Sequence, residues 1–101
     1  GQYGISVLRT TKEMLDRSGY VEAQYLYAQA NSLARAIVGV PTVIAGVGNI
    51  KYKSLVKSDV NLAAKAELVR QRGEKFFIKV TIKDNIKEVF RAKFIMESVV
   101  E

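Results

Sequence analysis

The sequence predicts an α+β domain in which a curved antiparallel sheet of five strands wraps one long helix. Three observations predict it. Residues 20–38 carry helical spacing and helix-forming composition with no internal Gly or Pro. The strand segments around them are patterned with a period of two. The chain has 101 residues, room for a single domain over residues 1–101, and 49% of them are hydrophobic, which supplies one core.

The elements follow in order. Residues 3–10 read as a first strand, with Ile5 and Val7 alternating with Ser6. Residues 11–19 are charged and end in Arg17-Ser18-Gly19, a loop or a short helical turn. In the helix, Leu26, Ala30, Leu33 and Ile37 share one face. Tyr25, Tyr27 and several alanines widen that apolar surface, so the helix is expected to be enclosed on most sides. Gly39 and Pro41 end it. Residues 42–53 form a second strand with Val43, Ala45 and Val47 on one side and Gly46 and Gly48 on the other. Glycines inside a strand suggest close backbone approach, here to the helix. A third strand, 60–70, turns through Gln71-Arg72-Gly73-Glu74 into a fourth, 75–83, where Phe76, Ile78, Val80 and Ile82 share a face. Asp84-Asn85 turns the chain into a fifth, 87–99, with Phe90, Ala92, Phe94 and Met96 to one side. One helix on such a sheet makes two layers. With the sheet bent around the helix this is the hot-dog arrangement, and its edge strands invite continuation of the sheet across a dimer axis.

Composition removes whole classes of chemistry. There is no Cys, which excludes disulfides and thiolate metal sites. There is no His, which excludes a Ser-His-Asp triad, a Cys-His pair and a His-based zinc site, so no metal site is expected. No apolar run approaches the roughly 20 residues that span a bilayer, and no signal-peptide pattern opens the chain, so the cytoplasm is the expected location and no membrane partner is expected. The net charge of +6 favours anionic partners. The basic residues are spread over strands among acids, without a helix-turn-helix, zinc-finger or RNA-binding signature. No phosphate-cradling glycine loop is present.

The run Leu26-Tyr27-Ala28-Gln29-Ala30-Asn31-Ser32-Leu33-Ala34 closely resembles the helix of the effector-binding domain of the FapR family, bacterial regulators of fatty acid and phospholipid biosynthesis. The resemblance continues through Asn49-Ile50-Lys51-Tyr52, Val56-Lys57 and Ala64-Lys65-Ala66 and ends near Phe94. It implies a homodimeric hot-dog domain that binds malonyl-CoA or a malonyl-carrier protein near the dimer interface. It implies no resident cofactor beyond that thioester ligand. In the family, an N-terminal helix-turn-helix domain, which this sequence does not contain, holds DNA and releases it when the ligand binds. One departure matters. The family grips the malonyl carboxylate with an Arg-Gly pair at the helix start, nine residues before the Asn; here those positions read Glu22-Ala23. A carboxylate facing a carboxylate disfavours binding, which speaks against malonyl selectivity.

The resemblance assigns Asn31 to the acyl or pantetheine end of the ligand, with Glu22 and Ala23 at the helix start and Leu15 and Arg17 in the loop before it. Arg17 or Arg35 could supply the missing cation. Lys51, Lys53 and Lys57 could meet the phosphates of CoA as point charges. Each has a plain structural alternative. Asn31 would otherwise be an exposed polar residue, and the lysines a solvated sheet face that protects an edge. Glu22 fits the helix dipole at an N-terminus. In the alternative reading of the chain, an acyl-CoA thioesterase of the same fold, Glu22 is the weak candidate for a general base.

Overall fold

A computed structural model describes residues 2–99. In chain order it contains β1 (Tyr3–Arg9), a single 3₁₀ turn (Lys12–Met14), α1 (Ala23–Val38), β2 (Thr42–Tyr52), β3 (Asn61–Arg72), β4 (Lys75–Lys83) and β5 (Glu88–Ser98). The five strands form one sheet in the order β1-β3-β4-β5-β2, with every neighbouring pair antiparallel. The expected α+β architecture is the one observed.

Alternation decides which side of the sheet each residue occupies. Leu62, Ala64 and Ala66 of β3, Ile78, Val80 and Ile82 of β4 and Phe90, Ala92, Phe94 and Met96 of β5 are buried on the inner face. They meet Leu26, Ala30, Leu33 and Ala34 of α1. Each large side chain removed from water there contributes roughly 1.5–3 kcal/mol. Tyr27 adds a tilted ring contact with Phe94 at 5.6 Å between centroids. The tight link between β3 and β4 comes from Gly73, whose φ of 59° suits a turn that other residues rarely make.

Four expectations need correction. The helix begins at Ala23 rather than near residue 20. Residues 20–22 are held extended by nonlocal bonds: Val21 N–H donates to Val56 O at 2.7 Å, Glu22 N–H to Met14 O at 2.8 Å, and Val21 bridges Leu15. Those bonds outweigh the helix propensity of Tyr20-Val21-Glu22. In β2, register shifts between Ile44 and Gly46 and between Gly48 and Lys51 break the single alternating phase. Ile44 and Val47 pack on the core, while Val43 and Ala45 are exposed. Gly46 and Gly48 therefore do not face the helix. Gly46 lies beside Ile95, and a Cβ on Gly48 would meet nothing within 4 Å. The close approach to the helix is at Gly4 of β1, where a Cβ would sit 2.7 Å from Ile37 Cγ2.

Nor is α1 enclosed on most sides within the chain. It packs on β1, β3 and β4, less on β5 and barely on β2. Ala28, Ser32, Arg35 and Ala36 are exposed. No helix among the described residues is long and apolar enough to cross a membrane.

Candidate functional site

The helix divides the inner face into two shoulders. On the shoulder toward β2 and β5 stand Tyr27, Asn31 and Arg35. Asn31 and Arg35 are one helical turn apart, and Arg35 Nε donates to Asn31 Oδ1 at 3.3 Å. The same guanidinium donates through Nη1 to Thr42 O at 3.0 Å, where β2 begins. The guanidinium thus ties the helix to the start of β2 and orients the Asn31 carboxamide through its oxygen.

On the opposite shoulder, between α1 and β1, runs an apolar groove of about 570 Å³ lined by Tyr25, Ala28, Gln29, Ser32 and Ala36 with Ser6 of β1. Gln29 crosses it. Its Nε2 donates to Leu62 O at 3.1 Å and to Ser6 Oγ at 3.3 Å. Its Oε1 is buried and has no partner among the described residues, a state that costs about 1–3 kcal/mol. Sequence reasoning did not assign Gln29 a role. The signal was there: it lies three residues after Leu26 and four before Leu33, at the margin of the buried stripe, where an amide must find partners.

The helix start forms a third locality. Glu22 is the extended residue before Ala23, and its Oε2 accepts from Gln24 Nε2 at 2.7 Å. Leu15 packs against the core and pairs with Val21. Arg17 is exposed in a tight turn built by Asp16, whose Oδ1 accepts from the N–H groups of Ser18 (2.8 Å) and Tyr20 (3.2 Å). Lys57 joins this locality through buried Thr10. The Thr10 hydroxyl donates to Lys57 O at 2.7 Å and accepts from Val60 N–H at 2.9 Å. Thr10 also bonds Val60 and Asp59 through its backbone, at 2.8 and 2.9 Å. The structure therefore brings Leu15, Arg17, Glu22, Ala23 and Lys57 to one end of the molecule. Asn31 lies nine residues along the helix from Glu22, roughly 13 Å by helical rise, so the chain does not bring them together.

Lys51 and Lys53 lie apart from both, at and just beyond the end of β2. Lys51 is exposed. Lys53 Nζ is 2.7 Å from Glu88 Oε2, and Arg91 holds the same carboxylate at 3.1 Å. The hydrogen bond from Lys53, with help from Arg91, keeps the Glu88 carboxyl below the usual carboxylate range. Lys53 is thus neutralised locally, and Lys51 and Lys57 remain the freer cations of the three. Among the described residues no group of three or more acidic side chains is placed to hold a metal ion. The shoulder toward β1 thus offers amide and hydroxyl groups beside an apolar groove, and the shoulder toward β2 an oriented carboxamide.

No family model matches the chain. Among curated proteins it is similar to the transcription factor FapR of Caldanaerobacter subterraneus subsp. tengcongensis, 47% identical over 102 residues that span all of this chain and 51% of that protein. It is 30% identical to FapR of Staphylococcus aureus over 89 residues, 86% of this chain and 47% of that protein. The chain spans about half the length of the curated relatives it matches. Among solved structures, an uncharacterised protein of Pyrococcus horikoshii superposes with a TM-score of 0.90 at 25% identity, covering 98% of this chain and 77% of that one. A hypothetical thioesterase of Streptococcus pneumoniae, solved with coenzyme A, superposes at 0.90 with 22% identity over 96% of this chain and 81% of its own. That second likeness shows the fold alone, and the fold is the hot-dog.

Proposed function

Because the chain belongs to the FapR family along its own full length, we propose that it is the effector-binding domain of a transcriptional regulator of fatty acid and phospholipid biosynthesis. Its ligand in this reading is an acyl-CoA-type thioester. The observation that carries the reading is the Asn31 shoulder: an amide oriented by Arg35, beside the edge strand β2, in a chain 47% identical along its full length to a FapR relative. Two copies pair through β2 and extend the sheet. The helix of the second copy then lies alongside Tyr27, Asn31 and Arg35, and its helix start supplies Leu15, Arg17, Glu22 and Ala23 across the interface. The pantetheine arm runs between the two helices, with Lys51 and Lys57 toward its phosphates and Lys53 contributing less because Glu88 holds it. Glu22 in place of a cation favours an uncharged acyl group over malonyl. The regulator works in the cytoplasm, and DNA is held by an N-terminal segment outside this chain.

Thermal unfolding with CoA, acetyl-CoA and malonyl-CoA tests this. A ligand at about 100 times its Kd adds about 2.7 kcal/mol, which raises the Tm of a domain this size by roughly 10 °C or more. Acetyl-CoA is expected to exceed malonyl-CoA, and Asn31→Ala to abolish the shift. No shift with any of the three sinks the reading. Release of free thiol from acetyl-CoA, lost in Glu22→Gln, would instead establish the thioesterase.

A further inference from the structure

The outer face of the sheet, remote from the helix, holds a second recess. Gly46 and Gly48 stand there opposite Ile95 and Lys93. Where a side chain on Gly48 would otherwise rise, there is a hollow of about 400 Å³. Phe77 and Ile95 floor it and Val69 closes one wall. Its rim is cationic. Arg70 lies over the Phe77 ring, 4.6 Å from its centroid. Lys79 and Lys93 are direct cross-strand partners on β4 and β5. Like charges directly opposite each other destabilise a ladder. Glu67 faces Lys79 from β3, yet among the described residues no carboxylate is within ion-pair distance of Arg70, Lys79 or Lys93.

An apolar floor under a cation pair that makes no close ion pair of its own points to a ligand with an aliphatic body and an anionic head. We propose that this hollow binds a free single-chain aliphatic carboxylate, with its chain on Phe77 and Ile95 and its head group between Lys79 and Lys93. The volume is that of a small-molecule site. A second copy of the chain is a poor occupant of this hollow, because a symmetric contact here would set the same lysine pair against this one. The hollow and the Asn31 shoulder lie on opposite faces of the sheet, so this inference stands apart from the acyl-CoA reading.

Gly48→Leu supplies the test. A Cβ there meets nothing within 4 Å, and the backbone needs no positive φ, so the variant fills the hollow without crowding the fold. Decanoate, titrated below its micellar concentration into isotope-labelled protein, is expected to shift the amide signals of Gly48, Phe77, Lys93 and Ile95. Gly48→Leu is expected to abolish those shifts, and Lys79→Gln with Lys93→Gln to weaken binding about tenfold, the scale of one lost charge-assisted contact. Asn31→Ala leaves them unchanged. Equal binding of decyltrimethylammonium overturns the proposal. So does binding of inorganic phosphate with the same affinity, association only with anionic phosphatidylglycerol vesicles, or decanoate shifts that survive in Gly48→Leu.

Discussion

The inner and outer faces of the sheet come from the same strands in alternation, yet they are built for different work. On the inner face, Ile78, Val80, Ile82, Phe90, Ala92, Phe94 and Met96 are all 0 or 1% exposed. On the outer face, the intervening positions are Phe77, Lys79, Thr81, Arg91, Lys93 and Ile95, half-buried or exposed. The inner face holds the fold together and has little chemistry to offer. Polar recognition groups sit where α1 fails to cover it, on the two shoulders, and on the outer face beyond it. Stability and the proposed binding sites thus rest on largely separate residues, which makes them separable by mutation.

The largest test of that division is Phe94→Ala. Removing a fully buried ring that also faces Tyr27 is expected to cost about 3–5 kcal/mol, read as a fall in the urea midpoint at unchanged slope. A loss below 1 kcal/mol would mean that the inner face is not the source of stability. Next is Gly4→Val, which forces a Cβ against Ile37 Cγ2 at the closest contact between β1 and α1. Overpacking of this kind costs about 1–3 kcal/mol, and adding Ile37→Ala should recover part of it. The smallest effect belongs to Glu88→Gln, which removes the acid shared by Lys53 and Arg91. Because the folded state holds the Glu88 carboxyl below its ordinary value, its contribution is fully present above the usual carboxylate range and is lost as pH falls through the folded value. Wild type should therefore lose more stability than the variant between near-neutral and strongly acidic pH. The difference is about 1 kcal/mol at most, because Lys53 and Arg91 are well exposed. Equal acid sensitivity of the two proteins would leave that ion pair with no part in stability.

Much of this was legible in the residues. The alternation of β4 and β5 assigned the inner face correctly, because a half-buried strand must repeat every two residues. The stripe Leu26, Ala30, Leu33 placed the buried side of α1 for the analogous reason. What was hidden depends on nonlocal bonds. The start of the helix is set by Val56 and Met14, distant in sequence from the Tyr20-Val21-Glu22 stretch they hold extended. The phase of β2 is reset by irregularities that leave no mark in composition. The glycines were visible, but their facing direction was not: Gly46 lies against Ile95 and Gly48 opens a hollow outward, while Gly4, unremarked in the sequence, is where helix and strand touch. The Asn31 run was read through its resemblance, and its bond to Arg35 follows from their one-turn separation.

Thr10 has a further consequence. Its hydroxyl and both of its backbone groups are engaged with residues 57–60, and Val21 ties the helix entry to Val56 in the same segment. The two longest irregular stretches of the chain therefore cannot open independently; releasing one strands buried donors and acceptors on the other. They form one cooperative unit for local unfolding. Amide exchange at Thr10, Val21 and Val60 should proceed at a common rate.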